Sequence, residues 1–141
     1  IGIIGIAKAL ELAYEHMAEH QAHIRSVKKH FIEKLNSEIP GVEFNGMSAD
    51  LDHSLYTVLN VSLPPSESNR GMLLFNLDLE GISASGGSAC SSGATVGSHV
   101  LRAIGHQAER DSVRFSFSRF NTLEEVDYTI EKLKELYAVE A

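Results

Sequence analysis

The chain has 141 residues, long enough for one domain with a real core and too short for two comfortable ones. Acidic residues outnumber lysine and arginine 19 to 12, so the net charge of -7 speaks against nucleic acid as a partner and points to small molecules or proteins. A single cysteine permits no internal disulfide and fits a reducing, cytoplasmic setting, and no apolar run reaches the roughly 20 residues that span a bilayer.

The amino end, IGIIGIAKAL, has no initiator methionine and no basic signal region, and it reads like a cut inside a larger protein. From Ile3 to Leu35 apolar residues recur every three or four positions through Ala7, Leu10, Tyr14, Met17, Ile24, Val27 and Phe31. That spacing predicts one long helix ended by Pro40 and Gly41, a spine for a body larger than this chain. The helix also carries His16, His20, His23 and His30. Histidines at i and i+4 face the same way, but no carboxylate or cysteine completes a ligand pattern, so a solvated flank is expected rather than a metal site.

Residues 41–44 suit an edge strand, residues 45–53 a loop, and LYTVLNVSL, Leu55 to Leu63, a strand stopped by Pro64 and Pro65. A helix is expected over Asn69 to Leu79 with Met72, Leu73, Asn76 and Leu77 on its buried side, closed by Gly81. Ile82 to Ser85 should form a short strand running into SGGSACSSG, Ser85 to Gly93, which holds Cys90 among three glycines and five short side chains. A segment so poor in packing groups cannot fill a core. Cys90 there is either a small inert residue or a thiol presented by a loop.

Ser98 can cap a short helix, His99 to Ile104, ended by Gly105, and the polar segment His106 to Asp111 should be exposed. SVRFSFS alternates strictly, with Val113, Phe115 and Phe117 on one face and Ser112, Arg114, Ser116 and Ser118 on the other. Arg114 is therefore either a solvated surface residue or the cation of a serine-lined cleft, offering its planar fork to a carboxylate, with Arg119 as the alternative cation. Thr122 and Glu125 form a capping box for a closing helix whose stripe is Leu123, Val126, Ile130, Leu133 and Tyr137. These elements imply an α+β fold, a small and mostly antiparallel sheet covered on one face by helices, with a long amino-terminal helix.

The runs GISASGGSACSSGATVGSHVLRAIG and VRFSFSRFNTLEEVDYTIEKLKEL closely resemble the carboxy-terminal part of pyridoxal-phosphate-dependent cysteine desulfurases, in the long-loop branch serving iron-sulfur assembly and nitrogen fixation. The resemblance implies the small domain of a fold-type I enzyme of the class V aminotransferase group, residues 1–39 being the helix that joins it to an absent large cofactor domain. It makes Cys90 the catalytic thiol, which takes sulfur from L-cysteine as a persulfide and leaves alanine, and Arg114 the binder of the substrate carboxylate. It implies pyridoxal phosphate in a homodimeric full-length parent and a sulfur acceptor or cluster scaffold as partner, without membrane or nucleic acid. None of Lys8, Lys28, Lys29, Lys34, Lys132 or Lys134 has the context of the family's Schiff-base lysine, so no cofactor is expected on this chain alone, and the isolated chain should be inactive. Gly86 and the pair Ser91 and Ser92 depart from the family's commoner serine and threonine-serine. A non-enzymatic sulfur-carrier or thiol-sensing module and a selenocysteine lyase are the alternatives.

Overall fold

The computed structural model describes residues 1–67, 69, 71–86 and 98–138. The element order is α1 (Gly2–Glu15), α2 (Met17–Glu38), β1 (Glu43–Phe44), β2 (Val58–Leu63), α3 (Leu73–Leu79), α4 (His99–Ala103), β3 (Asp111–Ser116) and α5 (Leu123–Ala138). The strands form an antiparallel sheet in the order β1-β2-β3, the α+β arrangement that the sequence implies. Among the described residues no helix is long and apolar enough to cross a membrane.

The β2–β3 register pairs Leu59 with Phe115, Asn60 with Arg114, Val61 with Val113 and Ser62 with Ser112. Because side chains alternate along a strand, this places Leu59, Val61, Val113 and Phe115 on the core face and Asn60, Ser62, Ser112 and Arg114 on the other. Helices α2 and α5 cover the core face. Val27, Phe31 and Leu35 of α2 and Val126, Ile130 and Leu133 of α5 are buried against it, together with Leu73 and Leu77 of α3. Phe31 meets Phe115 and Phe117 edge-on, with ring centroids 4.9 and 6.0 Å apart, an arrangement that aromatic quadrupoles favour.

The expected continuous spine is interrupted at His16, whose backbone (φ -107°, ψ 7°) leaves the helical region and separates α1 from α2. No proline or glycine lies at the break, and nothing local explains it. The two halves of the apolar stripe also differ in fate: Ile24, Val27, Phe31 and Leu35 are buried, whereas Ile3, Ala7, Leu10, Tyr14 and Met17 are exposed. The expected strand at residues 82–85 is reduced to a single antiparallel bridge, Ser85 to Arg114. The capping box is formed as expected: the Thr122 amide donates to Glu125 Oε2 at 3.1 Å and the Glu125 amide to Thr122 Oγ1 at 3.3 Å. In the stripe that follows, Leu123 is exposed at the first turn, where the helix has not yet reached the sheet.

Two basic side chains are buried against that reading. Arg110, in the segment expected to be exposed, has a side chain only 9% exposed. Its Nε donates to Ser62 Oγ at 2.8 Å, and its Nη2 donates to the carbonyls of Gly41 and Ser62 at 2.6 and 2.8 Å, clamping the β1 approach to β2. Lys28 of α2 is fully buried, its Nζ donating to Ser54 Oγ at 2.8 Å and to the Leu55 carbonyl at 2.9 Å. Burial, with Arg25 nearby, holds its pKa below the ordinary lysine value.

A lysine that releases its proton more readily when folded leaves the unfolded chain holding more protons just below pH 10.5, so its linkage term makes stability rise with pH there. In urea melts the difference between the parent chain and Lys28→Met should therefore grow in favour of the parent as pH approaches that value. A pH-independent difference would show that Lys28 ionises normally. Gly86 gives a second expectation: a Cβ there would meet Leu74 Cδ1 at 2.7 Å and the Ser112 carbonyl at 3.3 Å. Gly86→Ala should cost about 1 kcal/mol by overpacking, and adding Leu74→Ala should remove that increment in a double-mutant cycle of melts.

Candidate functional site

On the open face of the sheet the strands and the start of α4 enclose a cavity of about 280 Å3 lined by Asn60, Ser85, Ser98, Val100, Leu101, Ser112 and Arg114. Each element reaches it for a local reason. Asn60, Ser112 and Arg114 are there by strand alternation. Ser85 is held by paired backbone bonds to Arg114, at 3.1 and 2.6 Å. Ser98 sits at the amino end of α4, where its Oγ accepts from the Leu101 amide at 3.4 Å.

Arg114 thus stands beside hydroxyl and amide groups; of the serines expected on its face only Ser112 lines this cavity, while Ser116 and Ser118 line two other hollows. Among the described residues no acceptor engages its guanidinium. Asn60 lies directly opposite it in the register, and the serine side chains add short donors around the fork. Such a lining suits a small anion with a planar, two-oxygen head. Asn60 and the hydroxyls of Ser85 and Ser98 were not singled out from the sequence as part of this lining, although the alternation of β2, read against that of β3, is the signal that finds Asn60.

The other expected positions divide. Cys90 lies outside the described residues, but Ser85 and Ser98, on either side of residues 87–97, both line the Arg114 cavity. Arg119 lines a different hollow, of about 490 Å3 beside α1, and its guanidinium lies 4.7 Å from the Phe120 ring centroid. A further hollow of about 500 Å3, between residues 81–83 and α5, carries Glu124 and Glu125 rather than a cation. Of the histidines, His23 Nε2 lies 2.9 Å from the Asn121 carbonyl and His30 Nε2 2.8 Å from Asp127 Oδ1, both tying α2 to the α5 region. His30 and Lys34 hold the Asp127 carboxyl below its usual range. Among the described residues no cluster of histidine, cysteine and carboxylate side chains is arranged to hold a metal ion.

The cavity lining offers no amine that could carry a carbonyl cofactor and no acid to face a pyridine nitrogen. Lys28 is spent on the 54–55 turn. The described residues therefore do not by themselves fit pyridoxal phosphate.

Comparison with known proteins gives the family. Residues 1–129 match the class-V aminotransferase family. The chain is 37% identical over 137 residues to a protein named cysteine desulfurase IscS from Clostridium botulinum, covering 96% of this chain and 34% of that protein. It is 40% identical over 134 residues to the protein of the same name from Colwellia psychrerythraea, covering 94% of this chain and 31% of that one. A solved structure described as a NifS-like protein superposes with a TM-score of 0.75 at 28% identity, covering 98% of this chain and 33% of the other. The chain thus spans about a third of the length of the curated relatives it matches. A family match through residue 129, with the same coverage in sequence and in fold, makes this chain a member of the class-V aminotransferase family, homologous to the cysteine desulfurases.

Proposed function

We propose that the chain is the small domain of a cysteine desulfurase, with Arg114 binding the substrate carboxylate and Cys90 accepting the sulfur. The observation that carries this reading is the Arg114 cavity, whose lining includes Ser85 and Ser98 on both sides of the Cys90 segment in sequence. Ser85 and Ser98 thus both stand at the place where the substrate's carboxylate would be held. The 37% identity to a protein named cysteine desulfurase supports the same assignment.

Within the whole protein the reaction balances simply. The Cys90 sulfur forms an S–S bond to the sulfur of L-cysteine as the substrate Cβ–S bond breaks. The substrate carbon gains a proton and leaves as alanine, while Cys90 retains a persulfide for an acceptor protein. Pyridoxal phosphate, bound by the part of the protein beyond these residues, would supply the electron sink that makes the Cβ–S bond labile. Arg114 binds and orients: its bidentate grip on the carboxylate fixes one end of the substrate and so limits where the sulfur can lie. The full-length protein is read as a cytoplasmic homodimer, and the isolated chain as inactive.

In the full-length protein Cys90→Ala should abolish alanine formation from L-cysteine, and an unchanged rate would overturn the assignment. Arg114→Ala should raise KM for cysteine by about tenfold or more with a smaller change in kcat, since a charge-assisted bidentate contact contributes roughly 1.5–3 kcal/mol. Arg114→Lys should recover only part of that loss, because an ammonium cannot reproduce the planar fork.

A further inference from the structure

The floor of the Arg114 cavity is continuous with a polar chain that runs across the open face of the sheet to His106. His106 Nε2 lies 3.1 Å from the Arg110 carbonyl and Nδ1 lies 3.1 Å from Asn45 Oδ1. Asn45 Nδ2 donates to Asn60 Oδ1 at 2.9 Å and to Ser112 Oγ at 3.0 Å, and Ser112 Oγ donates to Asn60 Oδ1 at 3.0 Å. Asn60 Oδ1 thus accepts twice from the inner side. Among the described residues its Nδ2 has no acceptor, and Asn60 lines the cavity beside Arg114.

The number of protons on the ring is coupled to the sense of this chain. A neutral imidazole has one N–H, yet both ring nitrogens of His106 face oxygen acceptors. With the two amides turned this way, the contacts are satisfied only when the ring carries both protons. Asn45 Oδ1 then accepts from the ring, Asn45 Nδ2 turns to Asn60, and the Asn60 amide offers its NH2 group to the cavity. With a neutral ring that keeps its Nε2–H on the Arg110 carbonyl, Nδ1 becomes an acceptor and the bonds are satisfied by turning both amides over. Asn45 Nδ2 then donates to Nδ1, Asn60 Nδ2 donates to Asn45 Oδ1, and the Asn60 oxygen faces the cavity. The Ser112 hydroxyl suits both states because it can redirect its proton.

We propose that Asn60 is a second carboxylate-binding residue beside Arg114, and that the protonation of His106, relayed through Asn45, sets which end of the Asn60 amide meets the ligand. His106 is then a positioning residue that never touches the substrate. The inference rests on the reading of Arg114 as the carboxylate cation. A carboxylate is held by two kinds of donor when His106 is charged, and it meets an opposing carbonyl oxygen when His106 is neutral. Affinity should therefore be higher on the acid side of the His106 titration and fall as pH rises through it. The charged groups around His106 are the Asp111 carboxylate at the start of β3, whose pKa burial raises while the nearby ring pulls it down, and Arg110, whose Nε lies 3.7 Å from Glu43 of β1. From α4 the contact is neutral, the Leu101 carbonyl accepting from the His106 amide at 3.0 Å.

The test is nuclear magnetic resonance of the chain, following the His106 ring nitrogens and the Asn60 side-chain NH2 across pH, with acetate as the carboxylate probe. The expected result is one shared midpoint for both groups and acetate affinity about tenfold weaker on the alkaline side, the size of one hydrogen bond to a charged group exchanged for a repulsive contact. His106→Gln keeps a permanent donor to Asn45 and should hold the Asn60 NH2 and the acetate affinity constant over the same range. An Asn60 resonance indifferent to His106, or a His106→Gln protein with the parent's pH profile, overturns the relay. Arg114→Ala separates the two readings. If acetate binding survives that change, the cation's role fails, whereas co-titration of His106 with Asn60 is read without any ligand and stands or falls independently.

Discussion

Pairing of β2 with β3 is the constraint on which both the core and the site depend, because one register serves two faces. Val61 opposite Val113 and Leu59 opposite Phe115 give α2 and α5 an apolar surface to cover. The intervening pairs, Asn60 with Arg114 and Ser62 with Ser112, lie on the reverse side, where Asn60, Ser112 and Arg114 line the cleft. A slip of one residue would bury Arg114 under Phe31 and expose the valines, so the hydrophobic gain that locks the core also holds the site in place. The guanidinium needs no separate device to be presented. It is presented because its neighbours in sequence are buried.

The helices divide along the same line. Helix α2 is anchored by Val27, Phe31 and Leu35 and is further tied to α5 by His30 and Lys34 on Asp127 and by Lys134 on Glu38. These ion pairs are exposed and contribute little energy individually. Packing of the apolar stripe sets the helix direction, and the pairs follow it. Helix α1 has none of that anchorage, for not one of its residues is buried, and its periodic isoleucines and leucines face outward. The same period therefore describes both helices, but only in α2 does it correspond to a buried face within these residues.

What could be read from the sequence was whatever depends on neighbours in the chain. Strict alternation in SVRFSFS placed Arg114 on the open face, the spacing of Thr122 and Glu125 gave the start of α5, and Ser98 was identifiable as the cap of α4. The missed features are those set by contacts between distant segments. Arg110 reads as solvent-exposed until the carbonyls of Gly41 and Ser62 arrive beneath it, and Lys28 reads as a polar flank until the 54–55 turn closes over its amine. Nothing local links Asn45 to His106, since the side-chain partners of Asn45 lie 15 to 67 residues away and only the Arg110 carbonyl is a near neighbour of His106 in sequence. The roles given to Cys90 and to the sulfur chemistry came from resemblance rather than from any pattern of spacing, and Cys90 lies outside the described residues.

Arg110 and Arg114 show how the open face sorts structure from recognition. They lie four residues apart and have the same side chain, yet the acceptors they meet differ. Arg110 finds two backbone carbonyls and a hydroxyl, so its Nε and Nη2 donors are engaged within the fold and its charge is offset by Glu43. Arg114 faces Asn60 and a set of serines that act as donors as readily as acceptors, and none of the described residues supplies the two anionic oxygens its fork would match. A guanidinium clamped to backbone carbonyls has little left to offer a ligand, and its removal would loosen β1. A guanidinium held in position by its backbone, with no acceptor on it among the described residues, keeps its fork for a carboxylate that enters. The same reasoning extends to Asn60, whose oxygen is used twice on the inner side and whose amide NH2 has no acceptor among the described residues.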